Sequence, residues 1–143
     1  MKIPMPFFHD DFQLVNLPDF KDDRGMLTFA EPGIHIPFEI KRIFWIYGVP
    51  QDKMRGGHAH WTCHEVVFPV CGSFDIVLDN GREQKTFHLA DPSVGVVIPA
   101  GVWCELSHFA PGTVCLALAS QEYDTTGYVN DYEDFKRAVD IHT

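Results

Sequence analysis

The chain has few basic residues, no long apolar run and no closely spaced pair of cysteines. Its 11 Lys and Arg are outnumbered by 20 Asp and Glu, and the net charge of −9 argues against the backbone of a nucleic acid as a partner. No segment approaches the apolar length of a membrane span or a secretory leader, so we expect no membrane partner. The 4 cysteines include no C-x-x-C pair, and we expect free thiols in a reducing cytoplasm.

The composition is that of a globular protein. Hydrophobic residues make up 45% of the 143 positions, 12 positions are phenylalanine, and a charged fraction of 22% is too low for a disordered chain. Because no linker, internal repeat or low-complexity segment interrupts it, we predict a single domain over residues 1–143. The acidic balance still permits a phosphorylated ligand, since a few local arginines can bind a diphosphate.

Short β-prone segments separated by Gly, Pro and Asn corners run through most of the chain. The clearest hairpin covers residues 73–89, where alternating apolar positions flank Asn80-Gly81, a pair typical of a primed turn. Only residues 129–139 are predicted to be helical, with Asn130 or Asp131 as the cap. The pattern predicts an all-β jelly-roll sandwich or barrel with a short C-terminal helix. The other predicted strands cover residues 12–17, 26–30, 41–49, 66–70, 94–98, 102–106 and 113–119.

Residues 55–72 carry the candidate site. His58 and His60 are two positions apart, which places both on one face of a strand, and Glu65 could reach the same space from the neighbouring strand. The preceding Gly56-Gly57 allows the backbone to kink or a ligand to approach closely. Two imidazoles and a carboxylate on an apolar background suit either metal ligation or acid–base catalysis, and both remain open at this point.

This segment resembles the first signature of the cupin superfamily, H-x-H-x4-E-x6-G, at every position from His58 to Gly72. The second signature, P-x-G-x-x-H, is matched by Pro-Ala-Gly-Val-Trp at residues 99–103. Cys104 then stands where that signature has its last histidine. The resemblance implies a cupin jelly roll, and the replaced histidine bears on whether a metal is bound.

The chain further resembles the dTDP-sugar 3,4-ketoisomerases over most of its length. The R-G-x-H-A-H core and the tyrosine-containing tail are specific to that family, whereas a bare H-x-H is not. Tyrosines are common in the family in the strand that here contains Phe44 and Trp45. The resemblance implies a homodimer that needs no metal or other cofactor. It is carried by residues 23–25, 37–42, 55–60, 72–73, 78–81, 102–103, 105, 118–120, 123–124 and 128–135.

The resemblance also implies a reaction and its catalytic residues. The carbonyl of a dTDP-linked 4-keto-6-deoxyhexose would move from C4 to C3 through an enediolate, with His58 and His60 in proton transfer. Histidine suits this work because its pKa lies near neutrality, so that it can take and return a proton in one cycle.

Four further side chains are expected to bind the sugar nucleotide or to line its pocket. Arg55 could hold the diphosphate, and Glu65 could orient an imidazole by hydrogen bonding. Trp103 could stack on the sugar or the base, and Cys104 is expected to line the pocket as a protonated thiol. A surface position for Arg55 and simple core packing for Trp103 are the alternatives.

Two other functions remain open from the sequence. The first is a metal-dependent cupin enzyme that uses His58, His60 and Glu65, with Cys104 as a fourth ligand, a set that suits zinc or iron better than magnesium. The second is a sugar-nucleotide-binding cupin that has lost catalysis. Metal analysis would identify the former, and ligand binding without turnover would identify the latter.

Overall fold

The computed structural model describes residues 12–142, apart from the side chain of His142, as two facing β-sheets and one C-terminal helix. One sheet has the strand order β1-β9-β6-β11-β4 and the other β12-β5-β10-β7-β8, while β2 and β3 form a separate hairpin. The predicted fold class, an all-β jelly roll with a C-terminal helix, is confirmed. The elements are β1 Leu14–Asn16, β2 Asp19–Asp22, β3 Gly25–Thr28, β4 Arg42–Tyr47, β5 Arg55–His60, β6 Glu65–Cys71, β7 Phe74–Asp79, β8 Gln84–Leu89, β9 Val94–Ile98, β10 Trp103–Ser107, β11 Val114–Ala119, a 3-10 turn Thr125–Gly127, β12 Tyr128–Val129 and α1 Tyr132–His142.

The main hydrophobic core lies between the two five-stranded sheets. Inward positions of β7 and β10 meet inward positions of β6, β9 and β11 in one buried cluster. Burial of each large apolar side chain contributes roughly 1.5–3 kcal/mol, so this layer fixes the distance between the sheets and the shape of any cavity at their edge. The cluster comprises Val67, Phe74, Ile76, Leu78, Leu89, Val96, Ile98, Val102, Cys104, Leu106, Phe109, Cys115 and Ala117.

The predicted hairpin at residues 73–89 is confirmed as β7 and β8, but its turn differs from the expected one. Asp79 pairs with Gln84, so four residues rather than two connect the strands. The side-chain oxygen of Asn80 accepts from the backbone N–H groups of Arg82 and Glu83, both at 2.9 Å. This side-chain-capped turn replaces the primed turn because an asparagine can satisfy its own loop backbone.

The helix begins later than predicted. Residues 128–129 form β12, which pairs with β5, and α1 starts only at Tyr132. Asp131 caps the helix, since its Oδ1 accepts from the N–H of Asp134 at 3.0 Å. Phe135 and Val139 of the helix are buried against the outer face of the β5 sheet, together with Ala59, Trp103, Val129 and Ala138. The helix therefore holds β12 in place beside β5.

The hairpin of β2 and β3 was only partly predicted. The sequence predicted a strand at residues 26–30, whereas the strand that pairs with it was not predicted. The hairpin turns at Asp22–Gly25, where Arg24 and Asp22 form an exposed ion pair at 2.6 Å. Within the residues that the structure describes, no helix has the length and apolar character of a membrane span.

Candidate active site

A cavity of about 390 Å³ opens between the two sheets, at the end where β4 and β5 lie. Its wall is mostly apolar, with a small set of charged and polar groups, which is the usual composition of a small-molecule site. Below, the cavity means the space lined by Arg42, Ile43, Phe44, Ile46, Arg55, Gly56, His58, Glu65, Val67, Ile98, Cys104, Leu106, Tyr123 and Tyr128.

The histidine pair lies on the cavity side of β5, as strand parity predicts. The ring centroids of His58 and His60 are 5.0 Å apart and nearly perpendicular. His58 borders the cavity, while His60 lies behind it and is only 4% exposed. Gly56 has a φ of +83° beside the irregular pairing of β5 with β10, and a Cβ there would lie 2.8 Å from the carbonyl oxygen of Cys104. A glycine is therefore required where β5 turns toward the site.

Glu65 reaches the histidines from a different direction than expected. It opens β6, the next strand along the chain, but β6 belongs to the opposite sheet and does not pair with β5. Its Oε2 lies 3.3 Å from Nε2 of His60, and both side chains are nearly fully buried. The angles do not satisfy a hydrogen bond, and Nε2 of His60 has no hydrogen-bond partner among the described residues. The carboxylate thus acts on the ring through its charge.

Arg42 supplies the positive charge of this cluster. Its guanidinium lies 3.8 Å from the Glu65 carboxylate, 5.1 Å from the ring centroid of Phe44 and 5.6 Å from that of Tyr123. Burial opposes its charged form, but its interactions with Tyr128 and with the negative charges nearby outweigh burial, so the pKa of Arg42 is raised. Its Nε is buried and has no hydrogen-bond partner within the described part of the chain. A buried donor of this kind is available to an anionic ligand.

The environment separates the protonation states of His58 and Cys104, which face each other across β5 and β10. Burial lowers the pKa of His58, and the neighbouring His60 lowers it further, so this imidazole is neutral at pH 7. Burial raises the pKa of the Cys104 thiol far above its ordinary range, and the charge of Glu65 adds to the effect. Cys104 is therefore a protonated wall residue, whereas His58 can accept a proton.

The remaining expected binding residues occupy different places. Arg55 is exposed at the edge of the cavity, where a diphosphate can reach it. Trp103 points the other way, because it neighbours Cys104 on β10 and adjacent residues of a strand face opposite sides. It is 6% exposed and packs 5.6 Å from the ring of Phe135 on α1. The expected stacking of Trp103 on the ligand is thus replaced by core packing, the alternative considered from the sequence.

The other histidines lie outside this constellation as far as the structure describes them. His64 accepts a hydrogen bond from the N–H of Ala100 at 2.9 Å. His88 and His108 both contact Asp75, at 2.6 and 3.0 Å, on the outside of the molecule. His35 accepts a backbone hydrogen bond in an exposed turn. His9 and the side chain of His142 fall outside the described residues.

The residues do not assemble the metal site that the sequence allowed. Among the described residues, the group compatible with a metal ion is His60, Cys63 and Glu65, whose ligand atoms lie within 4.8 Å of one another. His58 and Cys104 are not part of this group. The Arg42 guanidinium beside Glu65 would repel a dication. The donor set therefore does not fit the cupin metal that was considered.

Sequence reasoning missed Arg42 and Tyr128 as members of the site. A signal for Arg42 was present, since it occupies the same alternating strand positions as the inward-facing Phe44 and Ile46. A positively charged residue at an inward position of a strand is unusual and indicates a functional role. Tyr128 had no comparable local signal, because only the pairing of β12 with β5 brings it to the histidines.

The jelly roll and its acid–base cluster define a cupin-type protein whose site is built for proton transfer on a bound small molecule. The chain belongs to the family described as FdtA: WxcM-like, C-terminal, which matches residues 10–140. A curated relative, the TDP-4-oxo-6-deoxy-alpha-D-glucose-3,4-oxoisomerase of Aneurinibacillus thermoaerophilus, is 34% identical over 127 residues, covering 89% of this chain and 91% of the relative.

Two solved structures agree with that assignment. A 3,4-ketoisomerase from Helicobacter canadensis is 39% identical, with a TM-score of 0.88 over 92% of this chain and 99% of that one. A histidine-to-asparagine mutant of the 3,4-ketoisomerase QdtA from Thermoanaerobacterium thermosaccharolyticum, in complex with TDP-4-keto-6-deoxyglucose, is 37% identical. It has a TM-score of 0.89 over 94% of this chain and 97% of that one. The resemblance to sugar-nucleotide 3,4-ketoisomerases noted from the sequence is confirmed.

Proposed function

We propose that this protein is a 3,4-ketoisomerase that converts a TDP-4-keto-6-deoxyhexose into the TDP-3-keto-6-deoxyhexose. The observation that carries the proposal is the pair of adjacent imidazoles, His58 and His60, beside a cavity of about 390 Å³. That volume lies in the range of small-molecule sites. The relatives that act on or bind TDP-linked keto sugars support the choice of substrate.

The chemistry follows from the two histidines and the charge beside them. The C3 proton of the substrate is acidic because it lies next to the C4 ketone, and a neutral imidazole can remove it. Burial keeps His58 neutral at pH 7, and the Glu65 carboxylate 3.3 Å from His60 stabilises that ring when it becomes an imidazolium. Return of a proton to C4 and transfer of the O3 proton to O4 complete the isomerisation. General acid–base catalysis of this kind contributes about 10²–10⁴-fold.

Binding of the nucleotide is assigned to the edge of the cavity. Arg55 is exposed there and pairs with the diphosphate, while Glu65 and Cys104 shape the inner wall against the sugar. A charge-assisted contact outside the reacting centre binds substrate and transition state equally well, so Arg55 serves affinity more than rate.

We also propose that the protein forms a homodimer and that it is located in the cytoplasm. The outward positions of β4 are apolar and exposed, at 55% for Ile43, 57% for Trp45 and 68% for Tyr47, on an edge strand that a second copy can cover. All four cysteines are unpaired, which supports a reducing compartment. Light scattering at micromolar concentration tests the dimer, and a monomeric mass would contradict it.

The proposed activity is tested by incubating the purified protein with TDP-4-keto-6-deoxyglucose in deuterated water. We expect NMR spectra to report the 3-keto product and deuterium exchange at C3. Binding of the substrate without exchange or product would instead support a binding protein that lacks catalysis. Absence of both binding and turnover would refute the proposal.

A further inference from the structure

The connection between β5 and β6 brings an imidazole, a thiol and a carboxylate together. His60 ends β5, Glu65 opens β6, and Cys63 lies in the short segment between them. One ligand atom of each residue lies within 4.8 Å of the other two, and all three side chains are buried. Because β5 and β6 belong to opposite sheets, the group sits where the chain passes from one sheet to the other.

The histidine and the glutamate are already spaced as two ligands of one ion. Nε2 of His60 lies 3.3 Å from Oε2 of Glu65, yet the angles do not satisfy a hydrogen bond, and Nε2 has no hydrogen-bond partner among the described residues. Bonds of about 2.0–2.2 Å to a tetrahedral zinc ion place two such atoms roughly 3.4 Å apart, with their lone pairs directed at the ion and not at each other. A metal ligand therefore accounts for a buried polar atom that is otherwise unexplained.

The thiol of Cys63 is the third donor. Its Sγ donates to the carbonyl oxygen of His64 at 3.6 Å and accepts from the hydroxyl of Ser120 at 3.9 Å. Sulfur is a weak donor and a weak acceptor, so both bonds can be given up for a bond to a metal. To reach the spacing of zinc ligands, the three atoms need to approach one another by at most about 1.4 Å.

The charges of the group favour a weakly held, thiophilic ion. A thiolate and a carboxylate balance a dication, and sulfur selects zinc over magnesium. The Arg42 guanidinium, 3.8 Å from the Glu65 carboxylate, opposes the ion and lowers its affinity. The ion would therefore exchange with solvent and would not be a resident cofactor. This donor set also differs from the cupin set considered above, since it takes its sulfur from Cys63 and omits His58.

We propose that His60, Cys63 and Glu65 form an exchangeable site for zinc or a similar thiophilic dication, and that the bound ion prevents proton transfer by His60. The effect on turnover rests on the proposed ketoisomerase function, whereas binding does not. On binding, the thiol releases its proton to water and its sulfur bonds to the metal, while the imidazole and the carboxylate each donate a lone pair. No oxidation state changes. An imidazole whose Nε2 is bound to a metal cannot take a proton there, so His60 is withdrawn from catalysis.

Cobalt(II) tests the site without reference to activity, because a thiolate ligand gives cobalt a charge-transfer absorption in the near ultraviolet. Titration of the metal-free, reduced protein should produce this absorption and saturate at one equivalent. The absorption should persist in Cys71→Ser, which removes the exposed thiol of β6, and should vanish in Cys63→Ser. Zinc should displace the cobalt, whereas magnesium, which prefers oxygen ligands, should not.

The effect of zinc on turnover is measured with the same variants. Saturating zinc should lower the kcat of the wild-type protein by about 10²-fold or more, since loss of an acid–base group costs about 10²–10⁴-fold, and a chelator should restore it. Cys63→Ser should keep the basal rate and require at least about 100-fold more zinc, because loss of even an outer partner of a metal site costs about 10–100-fold. Cys63→Ala repeats the comparison if the serine variant has a lowered thermal midpoint.

Absence of the cobalt absorption in the wild-type protein, or its persistence in both Cys63 variants, would overturn the inference. Equal inhibition of the wild-type protein and the Cys63 variants by zinc would show that the ion acts elsewhere, and would overturn it too. If the wild-type protein binds cobalt through Cys63 but does not isomerise the sugar, the proposed function falls while the metal site stands.

Discussion

Replacement of Glu65 by Gln tests whether the buried carboxylate serves catalysis through His60. The Gln side chain has nearly the same shape and removes only the negative charge. Because Oε2 of Glu65 lies 3.3 Å from Nε2 of His60 without a hydrogen bond, its effect on the ring is mainly electrostatic. The charge matters most when the ring becomes an imidazolium during turnover.

The magnitude follows from Coulomb's law. Two unit charges 3.3 Å apart attract by about 5 kcal/mol at an effective dielectric constant of about 20. The Arg42 guanidinium, 3.8 Å from the same carboxylate, offsets part of this attraction. If about half remains, the transition state loses about 2.5 kcal/mol, and kcat falls about 70-fold at about 1.36 kcal/mol per factor of ten.

The assay is steady-state turnover of TDP-4-keto-6-deoxyglucose, with kcat and KM determined separately. We expect Glu65→Gln to lower kcat while KM stays close to the wild-type value, and Glu65→Asp to recover part of the rate. Glu105→Gln removes the same charge from the opposite face of β10 and serves as the control. An unchanged kcat for Glu65→Gln, or an equal loss in Glu105→Gln, would refute the electrostatic argument.

Five further outcomes are expected. His60→Asn should abolish deuterium exchange at C3 while TDP binding persists, and His58→Asn should slow turnover by about 10²–10⁴-fold. Wild-type exchange in both variants would refute the mechanism. Cys104→Ser should keep most of the activity. Arg55→Ala should weaken TDP binding by about 1.5–3 kcal/mol with little change in kcat, so unchanged affinity would remove Arg55 from the diphosphate site. The lowered pKa of His58 keeps its neutral form available in mild acid, so kcat/KM should decline only as the pH falls below about 6.5. We expect the purified protein to carry no tightly bound metal, so chelator treatment should leave turnover unchanged. Zinc or iron retained at one equivalent through that treatment would contradict this expectation.

Those parts of the fold that depend on local pattern were predictable from the sequence. The two-residue period at residues 73–89 gave β7 and β8, and the spacing of His58 and His60 placed both rings on one strand face, as observed. The start of α1 was less predictable. Residues 128–129 are compatible with a helix locally, but they pair with β5 in the folded chain, and tertiary pairing overrides a weak local preference.

The candidate site was less predictable because it joins two sheets. Glu65 reaches His60, and Arg42 reaches Glu65, from strands that do not pair with β5, and no sequence period encodes a contact across a sandwich. Trp103, in contrast, was predicted to contact the ligand but lies outside the cavity. A large aromatic residue beside a signature position suggests a ligand contact, but its strand parity turns it toward α1. Phe44 and Trp45 provide no phenol in the strand where tyrosines are common in the family, and the structure places the ring of Tyr128 beside His60.

Cys104 explains why the protein needs the groups that surround His58. At this position the second cupin signature has a histidine, which could titrate near neutrality, whereas the buried thiol cannot. Burial raises its pKa far above the ordinary range, and it also raises the pKa of Cys115, the other buried thiol of the core, to about 12. A protonated thiol does not accept the C3 proton. Under the proposed function, we therefore assign proton transfer in the cavity to His58 and His60.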